Sequence, residues 1–385
     1  MRNKLLFVGI SAACALVAGL AMLRAASPAS ALPHVITTIV TGSGAGQLWV
    51  NPTTNRIYVS NYSAGTESVV NGATNTVAAT IPIGSGPAGV AVNEQTNRIY
   101  VANRYSNTVS VINGDTNEVT DTISVGTQPE GVAVDPIRNH IYVSHHGAGV
   151  WAIDGTDNAV LTTIPTSTDA GGIAVDPTTN RIYVAANLGG DYVSIIEVNW
   201  DDLSMAVTTV PVGTRPIGVA IRTDTNRVYV TNYGSNDMSV IDSSTNAVVA
   251  TVPVGENPLG VDVNPISRRA YVANATSNSL SVIDTASNAV IGTVPVSTGT
   301  AGLVRVNPTT KRIYVTNDSD NKVTVLAEDS PVGGIAEYSP PEPHALAGGH
   351  GSSTSNAVAL AGVTAGGALL LAAGGWYARR RRRAG

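Results

Sequence analysis

Thr54-Asn55-Arg56-Ile57-Tyr58-Val59-Ser60-Asn61 is followed 42 residues later by Thr96-Asn97-Arg98-Ile99-Tyr100-Val101-Ala102-Asn103, and the phrase returns from Thr179 and from Thr225. Working outward, its Tyr-Val pair occurs at Tyr58, Tyr100, Tyr142, Tyr183, Tyr229, Tyr271 and Tyr314, separated by 42, 42, 41, 46, 42 and 43 residues. A fixed period of this length is the mark of a repeat architecture and takes precedence over any local reading.

Within a unit, four apolar runs of four to seven residues are separated by turn chemistry. The second unit reads Gly89-Val-Ala-Val, Arg98-Ile-Tyr-Val-Ala, Thr108-Val-Ser-Val-Ile and then residues 119–125, with Asn, Asp and Gly between the runs. Four short strands per unit describe a propeller blade rather than a helical solenoid. Blades stack face on face, so Val/Ile-rich strands are expected to be buried on both sides. The last unit stops at Glu328-Asp329 after three strands, whereas His34-Val-Ile-Thr-Thr-Ile39 matches Thr76-Val-Ala-Ala-Thr-Ile81, the fourth strand of the first unit. The expected fold is therefore all-β: a seven-bladed propeller of four-stranded blades over residues 34–328, closed by its own N-terminal strand.

The repeat resembles the YVTN β-propeller family. The tetrapeptide stands as Tyr229-Val-Thr-Asn232 and Tyr314-Val-Thr-Asn317, with variants at Tyr58, Tyr100 and Tyr271. Val-Ile-Asp recurs at 240–242 and 282–284, and Val-Gly-x-x-Pro-x-Gly at 212–218 and 254–260; the resemblance covers roughly residues 35–326. Repeats three and four depart, with His145 and Ala186 in place of the final asparagine. The resemblance implies a propeller in an exported or surface-layer setting and no single activity.

The ends of the chain read differently. Arg2 and Lys4 precede an apolar run closed by Ala29-Ser30-Ala31, the order of a signal peptide over 1–31. The one cysteine, Cys14, lies inside it, so disulfides and thiolate chemistry are excluded from the remainder. Residues 329–356, rich in Pro, Gly and Ser, read as a flexible stalk. Residues 357–378 hold no charge and are long enough for one C-terminal transmembrane helix, and the five arginines of the basic tail, 379–385, place that end in the cytoplasm. Pro341-Glu342-Pro343 leaves open a processed sorting tail instead. The exported part retains 14 basic against 27 acidic residues, about −13, which repels phosphate backbones and excludes nucleic acid as a partner.

No Ser-His-Asp order, phosphate loop, haem motif, H-E-x-x-H or calcium-hand spacing occurs, so no cofactor or metal is expected. On a propeller the blade-to-blade connections and the loops between second and third strands share one face, and these loops differ where the strands repeat. Candidate ligand contacts there are Arg104, Glu130, His145, His146, Asp169, Arg215 and Glu256. Repeat three deviates most, with Glu130 and the His145-His146 pair, although adjacent residues on an extended chain point in opposite directions. The repeated tyrosines are expected to pack between blades, and the repeated arginines to tie strand starts to turns. Two functions follow: a monomeric, membrane-anchored, non-catalytic module binding a protein, glycan or envelope ligand at the cell surface, or a lactonase-like hydrolase or lyase with its site in the channel near Glu130, His145 and His146.

Overall fold

Asparagine decides where most of the strands reverse. In the computed structural model, which describes residues 31–328 apart from 148, 167–168 and 297–298, fifteen of the twenty non-glycine residues with positive φ are asparagine. The first hairpin shows the mechanism. Asn51 Oδ1 accepts the N–H groups of Thr53 (3.0 Å) and Thr54 (3.2 Å), and Asn55 then enters the left-handed region at φ 51°. Asn and Asp support such turns because the short side chain bonds its own backbone and tolerates positive φ.

These turns join β2 (Ala45–Asn51), β3 (Arg56–Asn61), β4 (Thr66–Asn71) and β5 (Thr76–Pro82) into blade 1, an antiparallel sheet in the order β2-β3-β4-β5. Blades 2 to 6 repeat the plan over residues 87–124, 129–164, 169–211, 216–253 and 258–295. Blade 7 takes β26 (Ala301–Asn307), β27 (Arg312–Asn317) and β28 (Lys322–Ala327) and completes itself with β1 (His34–Val40), paired from His34↔Ala327 to Val40↔Lys322. The predicted closure by the N-terminal strand is what the sheet shows.

All seven repeat tyrosines are fully buried. Each faces the next blade: Tyr58 and Val69 of blade 1 pack with Val90, Ile99 and Val101 of blade 2, and Tyr314 of blade 7 packs with Leu48 and Ile57 of blade 1. Near the axis the first strands meet backbone to backbone. A Cβ on Gly89 would run into the carbonyl of Glu130, and one on Gly218 into that of Leu259, so only glycine permits the approach.

A second set of links circles the lower face, the side of the first-to-second and third-to-fourth strand turns. Asn51 Nδ2 donates to Asn97 Oδ1 (3.2 Å), Asn93 Nδ2 to Asn139 Oδ1 (2.8 Å), and Arg138 Nη1 to the Pro177 carbonyl (3.0 Å). Arg181 donates to the Ser243 carbonyl, Arg222 Nη1 to Thr285 Oγ1 (2.6 Å), Asn264 Nδ2 to Glu328 Oε2 (2.6 Å), and Asn307 Nδ2 to Asn55 Oδ1 (3.0 Å). Each of the seven blade junctions therefore carries a polar bond. The repeat arginines do tie strands to turns, but where Arg56, Arg98 and Arg181 reach a carbonyl it belongs to a turn of the next blade.

Burial on both faces holds for the inner three strands only. The outer strands β5 and β21 (Ala247–Pro253) are exposed at most positions, since they lie where neighbouring blades have splayed apart. Among the described residues no helix is long and apolar enough to cross a membrane; the segments read as signal peptide, stalk, transmembrane helix and basic tail lie outside them, apart from Ala31.

A buried carboxyl breaks the repeat in blade 1. Glu67 on β4 is fully buried at a position filled by Val109, Val150, Val193, Met238, Leu280 and Val323 in the other blades. Ser60 Oγ donates to its Oε2 at 2.8 Å, and burial pushes the carboxyl up to about 8. A raised carboxyl binds its proton in the folded state where the unfolded chain has lost it, so stability falls as pH rises from the ordinary carboxylate range through about 8. The expected loss is on the order of 5 kcal/mol. Thermal melts between pH 5 and 9 should show Glu67→Val losing this component of the decline and gaining most at pH 9; an unchanged pH profile would exclude a neutral Glu67.

Candidate functional site

The upper face is built by backbone bonds between the two loop sets. Tyr62 N–H donates to the Gly44 carbonyl (2.7 Å), Arg104 N–H to Gly86 (2.9 Å) and Tyr233 N–H to Arg215 (2.9 Å). In these blades the second-to-third strand loop is thus pinned to the connection entering its own blade, and the two loop sets share one face as expected from the sequence.

Three predicted residues converge where blades 2 and 3 meet. Glu130 is not in a loop but on β10 (Pro129–Asp135), and its Oε2 lies 3.0 Å from Arg104 Nη1 and 3.4 Å from His146 Nε2. All three are partly buried, and Glu130 reaches the axial cavity.

His145 is parted from this group. It ends β11 (His140–His145), fully buried, with Nδ1 3.1 Å from the Val143 carbonyl and its ring 5.6 Å from that of Trp151. Other blades place asparagine here: Asn61, Asn103, Asn232, Asn274 and Asn317 donate to Ser68, Ser110, Ser239, Ser281 and Thr324 at 2.8–2.9 Å. Repeat three has exchanged both partners, Asn for His145 and Ser for Trp151, so a polar pair has become an aromatic one. Burial pulls the imidazole down to about 4, which keeps it neutral at pH 7.

The remaining candidates lie in other blades. Arg215, at φ 55°, stacks its guanidinium 4.6 Å over the Tyr233 ring. Glu256 N–H donates to Ser277 Oγ (2.7 Å) in an exposed loop. Asp169 opens β14 (Asp169–Asp176), and its side chain lies outside the described residues. The sequence reading passed over the loop tyrosines. Tyr62 and Tyr105 meet edge to face at 5.6 Å with their hydroxyls 2.7 Å apart, and Tyr105 is 61% exposed. A signal existed: Tyr62 and Tyr233 directly follow the repeat asparagine, where blades 2, 6 and 7 have Arg104, Ala275 and Asp318.

The axis is nearly filled. Residues from all seven blades line a cavity of about 70 Å³, room for a few waters, against the several hundred Å³ of typical small-molecule sites. The register position opposite each tyrosine is alanine in blades 2 to 5 but Trp49, Asp262 and Arg305 in blades 1, 6 and 7. Asp262 Oδ2 accepts the Val306 N–H (2.7 Å), and the Arg305 guanidinium lies 4.7 Å over the Trp49 ring. Burial raises the Asp262 carboxyl, opposed by the charge of Arg305, and it lowers Arg305 in turn. Among the described residues no three His, Cys, Asp or Glu side chains are grouped to hold a metal ion.

Residues 85–112, the inner three strands of blade 2 with the connection before them, match the NHL repeat. Together with seven four-stranded blades, this makes the chain a repeat propeller. No curated protein matches the sequence. Among solved structures it is similar to hydrazine synthase of Kuenenia stuttgartiensis, at 19% identity and a TM-score of 0.66 over 76% of this chain and 97% of that one. At that identity the likeness concerns the fold, and 1786 solved chains match, so fold alone selects no activity.

Trp151 packs into the interface with blade 2 beside Val109, Ile123 and Val125. Trp151→Ser should cost about 3–5 kcal/mol. Adding His145→Asn restores the partner that serine has in other blades, so urea unfolding of the four species should give a favourable coupling; strict additivity would refute the paired exchange.

Proposed function

We propose that this chain is an exported, membrane-anchored propeller of the YVTN type that acts as a non-catalytic binding module, with its upper face as the recognition surface for a protein or glycan at the cell envelope. The observation that carries the reading is the pairing of tyrosine with tyrosine and with arginine in the loops of that face. Tyr62 pairs with Tyr105, Arg215 stacks on Tyr233, and Arg104 lies against Glu130. Tyrosine and arginine dominate binding hot spots because they offer large contact area with a polar tip and lose little rotamer freedom. The closed scaffold beneath holds them in place before a ligand arrives, which limits the ordering cost of binding.

The ends of the sequence support the cellular setting. Residues 1–31, read as a leader, and the uncharged run at 357–378 before five arginines support a propeller outside the membrane and a tail inside. The channel offers little support for the hydrolase reading, since a cavity of about 70 Å³ does not admit an organic substrate and His145 is turned away from Glu130.

Two measurements test the proposal. Protease added to intact cells should shave the propeller from the full-length chain, and protection would contradict surface exposure. Envelope fractions and a glycan array probed with the soluble propeller should give a ligand whose binding falls at least about tenfold in Tyr105→Ala with Arg215→Ala. A ligand indifferent to both changes would move recognition off the upper face.

A further inference from the structure

The repeat separation of 46 residues between Tyr183 and Tyr229 is the one the upper face does not explain. Its extra residues fall mainly in the outer hairpin of blade 4, formed by β16 (Tyr192–Val198) and β17 (Met205–Pro211). Pro82 pairs with Thr66 in blade 1, whereas Pro211 pairs with Tyr192 in blade 4, so this hairpin carries three additional residues. The β-bulge that interrupts the outer pair in the other six blades is missing here, and seven residue pairs run without a break from Tyr192↔Pro211 to Val198↔Met205. The longer turn is held down by Trp200, whose ring meets His140 of blade 3 at 4.3 Å and whose Nε1 donates to Asn180 Oδ1 at 3.3 Å.

The straightened hairpin forms one wall of a lower-face groove of about 840 Å³, whose other wall is the turns of blade 5. Its size is that of a ligand site. Its chemistry is specific. The lining holds two charged side chains, Arg181 and Glu197, joined at 2.6 Å, so the groove carries no net charge. Glu197 is half exposed and commits Oε1 to Arg181, which leaves Oε2 for a ligand. Asn, Ser and Thr make up most of the rest, among them Asn226 and Ser244 from blade 5, and the exposed Ala206 methyl, paired across the hairpin with Glu197, is the apolar contact, since Val198 and Met205 turn their side chains to the core shared with blade 3.

We infer that this groove is a second binding site, separate from the upper face, and that it takes a neutral oligosaccharide. A carboxylate beside a guanidinium serves vicinal hydroxyls in both senses, accepting from one and donating to the next. Amides and hydroxyls extend that pattern, and the small Ala206 side chain leaves room for the C–H face of a sugar ring beside them. A charged ligand would leave one of Arg181 and Glu197 opposed to it. A peptide would need a pocket for an aromatic or aliphatic anchor, and no aromatic side chain lines the groove.

The test is a neutral-oligosaccharide array, followed by calorimetric titration of the best binder with the full propeller. Ala206→Trp projects a bulky ring from the exposed edge into the groove and should weaken binding at least tenfold. Glu197→Gln, which keeps the shape, should weaken it severalfold, and it decides the matter should Ala206→Trp lower the melting temperature. Ala289→Trp, near the start of the outer strand of blade 6, and Tyr105→Ala on the upper face should leave it unchanged, so this site stands or fails independently of the proposed function. Affinity should vary less than about twofold between 50 and 500 mM salt, because no charged ligand is being screened. Absence of any neutral oligosaccharide ligand, binding insensitive to Glu197→Gln, or binding confined to peptides or charged glycans would overturn the inference.

Discussion

The ring depends on one antiparallel ladder, that between β1 and β28. Every blade buries its tyrosine face against the next, so an open ring would leave two apolar faces in water at the point of opening. The sole cysteine is Cys14, near the N-terminus, and no disulfide locks the closure. Hydrogen bonds do this instead. Asn307 reaches Asn55, Thr316 Oγ1 donates to the Gly46 carbonyl at 2.8 Å, and Gly44 N–H donates to Asn321 Oδ1 at 2.8 Å, so the seam between blades 7 and 1 is bonded on both faces as well as through β1. Closure of a sheet array by its own first strand protects edges that would otherwise pair with other chains.

Around that seam the axis is also at its fullest. The first strands of blades 2 to 5 carry alanine opposite the tyrosine, while in blades 6, 7 and 1 the same register position holds Asp262, Arg305 and Trp49, with the Arg305 guanidinium over the Trp49 ring. The half-buried Asp262 and Arg305 are tolerated because each has partners: the Val306 N–H donates to the Asp262 carboxylate, and Arg305 donates to the Val304 carbonyl and stacks on Trp49. Filling the axis leaves the two faces and the outer hairpins as the places where the chain can vary without opening the ring. The paired exchange at His145 and Trp151, the buried Glu67 and the longer hairpin of blade 4 each alter a single blade and leave its buried tyrosine in place.

Strand number, turn positions and closure were legible in the sequence because they are local or periodic. An asparagine that adopts positive φ after a capping Asn or Asp specifies a reversal within four residues, and alternation of Val and Tyr specifies a strand, whatever lies in the neighbouring blade. The match between residues 34–39 and 76–81 carried the closure for the same reason. The tyrosines could be assigned to packing because seven equivalent positions have seven equivalent environments.

What depended on contacts between blades some 40 residues apart could be read only from the tertiary structure. That Arg56 and Arg98 bond a turn of the following blade, that the outer strands are exposed, and that His146 joins Arg104 and Glu130 while His145 turns to Trp151 are facts of blade-to-blade geometry. The width of the channel and the groove beside blade 4 are of this kind too, since both are spaces left between elements rather than properties of any one of them. Turn chemistry and period thus determined the ring from the sequence, and packing across its junctions decided where a ligand has room to bind.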